Sequence, residues 1–277
     1  MKEISIAFMG GGNMARSLIG GLITGGHHAD CIRVADPDAG QREFLRSHFG
    51  VQTGADNLEL AARAKVIVLA VKPQILQTVA QQLAPLIQSS QPLLISIAAG
   101  VREPDVRRWL GGGPLAVVRA MPNTPALVGS AASALFANEF VSEHQRQQAE
   151  SLLRAVGVTV WVKDEALLDA VTALSGSGPA YFFLLMEALE QVGIRLGLNA
   201  DTARLLTLQT AFGAAKMALE SAESPATLRT RVTSPGGTTE RALAVLQEGG
   251  LEPLVAQALE AACQRARELG DLLGEQL

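Results

Sequence analysis

The chain of 277 residues has only two cysteines, Cys31 and Cys263, far apart and in no C-x-x-C pair. That excludes a disulfide framework and a cysteine-based metal site. It leaves both as small apolar groups, in keeping with a reducing compartment. Histidine is almost as scarce: His27, His28, His48 and His144 are the full set. The second half therefore offers no imidazole acid, no Ser-His-Asp or metal-ligand spacing forms, and no metal is expected. No apolar run approaches the roughly 20 residues that span a bilayer, so no membrane partner is expected. Lys2 and Glu3 lead straight into an apolar strand-like run, unlike a signal peptide, and the expected location is cytoplasmic. Lysine and arginine number 23 against 27 acidic residues, for a net charge of −4. With no basic cluster, nucleic acid is not an expected partner.

What is present is a folded-protein share of hydrophobic residues, 48%, and a distinctive start. An apolar strand at 4–9 runs into Gly10-Gly11-Gly12-Asn13-Met14-Ala15, and a helical run extends to about Ile23. Gly10, Gly12 and Ala15 fit G-x-G-x-x-G/A. The first glycine allows the tight turn, the second lets a pyrophosphate reach the backbone, and Ala15 lets helix and strand pack closely. Unpaired N–H groups at the helix start then face the phosphates.

The first half alternates strand and helix. Strands are expected at 31–35, 66–71, 93–98 and 115–119, and helices at 39–48 and from a cap at 55–57 to about Arg63. The run 66–71 is apolar throughout, as a central parallel strand covered on both faces must be. Two edge strands, 131–136 and 158–162, flank a helix at 143–156. From Asp164 onward the pattern is helical: 164–174, 179–196, 201–219, 238–247 and 251–273, with Thr238 as a candidate cap. The expected fold is α/β: an N-terminal Rossmann-like doubly wound sheet, residues 1–163, then an all-helical C-terminal domain, residues 164–277. The helix from Ala180 is apolar nearly all round at first, so it must be buried. Either a second subunit covers it, giving an obligate dimer, or it is the centre of a small bundle.

Several stretches carry chemistry. Asp36 ends the second strand, where a carboxylate accepts hydrogen bonds from an adenosine ribose and repels a 2′-phosphate; Arg42 is the nearest cation favouring the phosphate. Asp36 is equally readable as a turn residue before Pro37. Ala70-Val71-Lys72-Pro73 and Ile97-Ala98-Ala99-Gly100 sit at strand ends, on the rim where a dinucleotide would lie. Lys72, one of five lysines, could meet a phosphate or ribose there or stay solvated. Ser175-Gly176-Ser177-Gly178-Pro179 and Ser234-Pro235-Gly236-Gly237-Thr238-Thr239 are hydroxyl-rich, Gly-rich turns that open helices and offer N–H groups to an anion.

Together with Arg119-Ala120-Met121-Pro122-Asn123-Thr124-Pro125 and Asp169-Ala170-Val171-Thr172, these stretches resemble the pyrroline-5-carboxylate reductase family, in family order over nearly the whole chain. The resemblance implies reduction of 1-pyrroline-5-carboxylate to L-proline, the last step of proline synthesis. It implies NADP(H) as the usual cofactor, NAD(H) serving some members, and a homo-oligomer, a dimer or dimer-based decamer. Carried over residue by residue, the cofactor contacts are Met9, Gly10, Gly11, Gly12, Asn13, Met14, Asp36, Asn57, Ala70, Val71, Lys72, Pro73, Ile97, Ala98 and Ala99. The substrate contacts are Glu165, Ser234, Gly237, Thr238 and Thr239. The turn at 234–239 holds the substrate carboxylate, and the catalytic residue is Thr239, whose hydroxyl bonds the ring nitrogen. Glu165 balances charge near the iminium or caps a helix. Asp36 departs from the small or polar residues often found there, against a strict NADPH preference.

Two other functions fit part of the pattern. A hydroxyacid dehydrogenase shares the layout but needs a lysine on a central helix, and none lies between Lys163 and Lys216. A non-catalytic NAD(P)-binding sensor needs the first turn but neither hydroxyl-rich one.

Overall fold

A computed structural model describes residues 3–275; Lys2 lies outside them. The strands are β1 (Ile6–Met9), β2 (Ile32–Ala35), β3 (Gln52–Gly54), β4 (Val66–Leu69), β5 (Leu93–Ser96), β6 (Val117–Met121), β7 (Ala131–Ala137) and β8 (Gly157–Trp161). Between them come α1 (Asn13–Thr24), α2 (Ala39–Phe49), α3 (Asn57–Ala61), α4 (Pro73–Ser90), α5 (Glu103–Trp109) and α6 (Glu143–Arg154). After β8 follow α7 (Leu167–Val171), α8 (Gly178–Arg195), α9 (Ala200–Glu220), α10 (Pro225–Arg231), α11 (Thr238–Glu248) and α12 (Leu251–Gly274).

The eight strands form one sheet in the order β3-β2-β1-β4-β5-β6-β7-β8. All neighbours are parallel except the antiparallel pair β6 and β7. Reversal of strand order between β1 and β4 makes this a doubly wound sheet, with its crevice at the carboxyl ends of those strands. Both faces are buried, which is why the central strands read as unbroken apolar runs. Phe8, Val68 and Ile95 face one core, with Leu18 and Ile19 of α1 and Leu152 of α6. Ala7, Met9, Ile67 and Leu94 face the other, with Leu76, Val79 and Leu83 of α4 and Val106 of α5.

Two compact units divide the chain: residues up to Ser177 together with those from Ala261 on, and Gly178–Glu260. The expected boundary at 163/164 thus lies before α7, which packs with the sheet unit, as does the end of α12 through Leu273. Among the described residues no strand occurs after β8.

Local chemistry sets the helix ends. Asp38 caps α2, accepting from Gln41 N, and Asp56 caps α3, accepting from Leu58 N and Glu59 N. Ser142 and Gln145 form a full capping box on α6. Thr238 is not a cap: Gly237 holds that position, and Thr238 is the first helical residue of α11. The turn at 175–178 also differs from expectation. Thr172–Gly176 is a π-helical turn continuing α7, and Ser177 N donates to Thr172 O at 2.8 Å. The Ser177 N–H is therefore engaged within this turn, and α8 opens one residue later at Gly178.

In the second unit the start of α8 is not covered by its own chain. Phe182, Phe183, Leu184 and Leu185 are 63%, 64%, 68% and 55% exposed. The alternative in which α8 is the buried centre of a one-chain bundle is thereby corrected. Leu205 and Phe212 of α9 are exposed as well. Contiguous apolar surface on this scale marks an interaction face.

Candidate functional site: a dinucleotide rim, a charged cleft and a hydroxyl-lined helix start

The carboxyl ends of β1, β2, β4 and β5 gather most of the expected cofactor residues. Gly10 N donates to Ala35 O at 2.8 Å and Ala70 N to Met9 O at 2.8 Å; Ile97 N donates to Leu69 O at 3.2 Å. Gly10 has φ +100°, and a Cβ on it would lie 2.7 Å from Ala70 O. Only glycine fits that conformation and that spacing. Gly12 is different. It caps α1 in extended backbone, and a Cβ there would meet nothing within 4 Å. The space above it is open, as approach of a pyrophosphate to the start of α1 requires. Asn13 and Met14 form the first turn of α1.

Asp36 is turned toward this loop: Gly11 N donates to its Oδ2 at 2.7 Å and Asp38 N to its Oδ1 at 2.9 Å. Arg42 Nη1 donates to the carbonyls of Asp36 and Pro37, both at 2.8 Å. Lys72 is exposed at the N-cap of α4, just before Pro73. Val71 lies against Gly10, Ala98 is buried and Ala99 exposed. Asn57 stands apart from the loop hydrogen bonds, its amide donating to Gln82 Oε1 at 3.1 Å.

Glu165 is in the sheet unit and is already occupied. Arg119 Nη1 lies 2.6 Å from its Oε1, and Glu103 N, in the first turn of α5, donates to the same oxygen at 2.5 Å. Glu165 thus caps α5, not the helix that follows it in sequence. Around it lies a cleft of about 420 Å³ lined by Arg102, Arg119, Arg267 and the carboxylates of Asp164, Glu165, Asp169 and Asp271. Burial pushes the Asp169 carboxyl above its ordinary range, against the pull of Arg119, Arg102 and Arg267. Burial likewise raises Glu103, against a hydrogen bond from Asn138 and the charge of Arg107. Sequence reasoning did not assemble this cluster. The signal was Arg119 at the end of an apolar strand, a charge that must find a buried partner.

In the helical unit the start of α11 is a tight glycine turn. Gly237 N closes a turn onto Ser234 O at 3.0 Å, and Gly236, at φ +72°, donates its N–H to Glu240 Oε2 at 2.7 Å. Among the described residues no acceptor meets the N–H groups of Thr238, Thr239 and Glu240. These three donors and the half-buried Thr239 side chain sit at the positive end of an 11-residue helix.

A glycine-cradled rim on a doubly wound sheet, joined to a helical unit with an anion-ready helix start, defines a dinucleotide-dependent oxidoreductase of the Rossmann type. Residues 5–100 match a model described as NADP oxidoreductase, coenzyme F420-dependent, and residues 165–269 one described as pyrroline-5-carboxylate reductase dimerisation. A pyrroline-5-carboxylate reductase of Pseudomonas aeruginosa is 54% identical over 99% of this chain and 100% of that relative. The chain belongs to the pyrroline-5-carboxylate reductase family. Among solved structures, the Coxiella burnetii pyrroline-5-carboxylate reductase superposes with TM-score 0.93 at 48% identity, covering 96% of this chain and 98% of that one. The Plasmodium falciparum pyrroline carboxylate reductase with NADP bound gives 0.86 at 30% identity, covering 98% and 99%.

Proposed function

We infer that the protein reduces the C=N bond of 1-pyrroline-5-carboxylate to L-proline, consuming one NAD(P)H and one proton. The observation that carries this reading is the start of α11, where three acceptor-free N–H groups adjoin the Thr239 hydroxyl in a unit with no histidine. The substrate suits such a site. Its carboxylate needs donors, and its protonated imine already accepts hydride, so no strong side-chain acid is required. The reduced nicotinamide supplies the hydride. The protein's share is placement, which can lower a barrier by roughly 7–11 kcal/mol.

The N–H groups of Thr238 and Thr239, with Ser234 and Gly237 shaping the turn, hold the carboxylate. Thr239 Oγ1 bonds the ring nitrogen and fixes which carbon is presented. On the sheet unit, Gly10, Gly11 and Gly12 with Asn13 and Met14 hold the pyrophosphate, Asp36 the adenosine end, and Ala70, Val71, Lys72, Pro73, Ile97, Ala98 and Ala99 line the rim. Met9 and Asn57 complete the proposed contacts. The hydroxyacid dehydrogenase alternative lacks its acid, because α8 contains neither lysine nor histidine.

The exposed apolar faces of α8 and α9 support a homodimer through the helical unit, with a decamer built from five such dimers as the higher form. A net charge of −4 supports small molecules and copies of itself, rather than nucleic acid, as partners. Two cysteines outside any disulfide support a cytoplasmic location; no helix among the described residues is long and apolar enough to cross a membrane.

The test is loss of absorbance at 340 nm on adding pyrroline-5-carboxylate to enzyme and NADH or NADPH. Thr239→Val should lower kcat/KM about 100-fold, the scale of a lost hydrogen bond to a developing charge, with melting unchanged. Unaltered kinetics would remove Thr239 from the mechanism. Nucleotide binding without turnover would favour the sensor.

A further inference from the structure

We propose that Asp36 makes this chain take NADH at least as readily as NADPH, and that Arg42 is what admits NADPH at all. The inference rests on the dinucleotide reading of the rim and goes beyond it by naming the coenzyme and its determinants. Sequence alone left the direction of the Asp36 side chain open. The structure settles it, because two backbone N–H groups, from Gly11 and Asp38, fix one oxygen each. The carboxylate is thereby held beside the glycine turn and keeps a spare lone pair on each oxygen.

Among the described residues no cation forms an ion pair with it. Arg42, the nearest candidate, places Nη1 on the carbonyls of Asp36 and Pro37 and forms no ion pair with the carboxylate. Asp36 therefore presents a fixed, uncompensated negative acceptor at the carboxyl end of β2. A ribose diol brings two hydroxyl donors to such a group, which is the pairing NADH offers. A 2′-phosphate brings further negative charge and only acceptor oxygens when ionised, so charge and hydrogen bonding both oppose it.

Arg42 supplies the counterweight. Its Nε and Nη2 have no partner among the described residues, and the guanidinium is braced over the β2–α2 loop by its two carbonyl contacts. Those free N–H groups can meet a phosphate at the same loop. The rim thus carries one determinant for each coenzyme within a single turn of chain. Asp36 sets the balance and Arg42 keeps it from excluding NADPH.

The experiment titrates NADH and NADPH into the full-length protein without substrate, following nicotinamide fluorescence, for wild type, Asp36→Ser, Asp36→Asn and Arg42→Ala. Wild type should bind NADH with a Kd equal to or below that for NADPH. Asp36→Ser and Asp36→Asn should each move the affinity ratio toward NADPH by about tenfold or more, the scale on which removing a like-charge contact acts. Arg42→Ala should weaken NADPH about tenfold and leave NADH within about twofold. Asp36→Asn keeps an acceptor for the backbone and guards against a loop that merely collapses in the serine variant. A wild type that favours NADPH by more than about tenfold, or an unchanged ratio in both Asp36 variants, overturns the proposal. Equal losses for both nucleotides in Arg42→Ala overturn its second half. Failure to bind either nucleotide overturns the dinucleotide reading and this proposal together. The expected order of binding without turnover of pyrroline-5-carboxylate supports the proposal and overturns only the reductase reading.

Discussion

Replacing Glu165 by alanine separates two roles for that residue. Its Oε1 meets Arg119 Nη1 at 2.6 Å and accepts the Glu103 N–H at 2.5 Å. The Arg119 side chain is 8% exposed and that of Glu165 19%. Alanine would strand a buried guanidinium and unpair an N–H at the start of α5. Removing one partner of a buried ion pair costs about 3–5 kcal/mol. The residual exposure of Glu165 lets some water reach the gap, so the lower end, about 3 kcal/mol, is expected. For a chain of this size each kcal/mol moves Tm by about 2–4 °C, so the melt should fall by about 6–12 °C. The assay is thermal unfolding followed by far-ultraviolet circular dichroism at fixed protein concentration, since assembly would shift Tm. Arg119→Met with Glu165→Leu should recover part of the loss, because it removes the buried charge along with its partner. KM for pyrroline-5-carboxylate should change little at a temperature where the variant is folded. The reasoning fails if Glu165→Ala melts within about 2 °C of wild type while KM rises sharply, for then the carboxylate serves substrate and not α5.

Gly10→Ala should lower Tm, because its Cβ would press on Ala70 O in a left-handed backbone; an unchanged melt refutes that. Gly12→Ala should leave Tm nearly unaltered but weaken both NADH and NADPH, because its Cβ enters the open space where the pyrophosphate is proposed to lie; unaltered binding by titration counts against that placement. Phe183→Glu should shift the protein to monomer in light scattering at low concentration, and a persistent dimer would put the interface elsewhere. Asp169→Asn should stabilise increasingly as pH rises. Burial raises the native carboxyl, so its contribution is fully present below the unfolded value near 3.9 and is lost as pH climbs through the native one. Melts from pH 4 to 7 that run parallel for wild type and variant would deny the shift.

The sheet was legible because its strands are buried on both faces. Val66–Leu69 and Leu93–Ser96 carry no polar alternation, so their runs announce themselves. β3 escaped because Gln52–Gly54 is three residues at an edge with no apolar pattern. α10 escaped because Ser224 capping Pro225 resembles any polar turn until the helix behind it is seen. The glycine turn was legible in its backbone: Gly10 takes the positive φ that a tight turn needs, and Gly12 faces open space. The stretch from Ser175 opens α8 at Gly178 as expected, but composition did not show the π-helical turn at Thr172–Gly176 before it. The Arg119–Glu165 pair was hidden by its span of 46 residues. Nothing local in Glu165 says that it serves the start of a helix 62 residues earlier.

Asp36 and Glu165 show why residue type alone does not assign a site. Both are carboxylates that accept backbone N–H bonds in the sheet unit. Glu165 also holds Arg119, so its charge is spent inside the protein, and removing it strands a cation. Asp36 binds only N–H groups, while the arginine beside it holds carbonyls instead. Its charge is oriented but not cancelled. Its two backbone bonds leave a lone pair free on each oxygen, which suits the proposed contact with a ribose diol. The two carboxylates thus differ in what holds them: Glu165 is tied to Arg119 and the start of α5, and Asp36 to the glycine turn and its own loop.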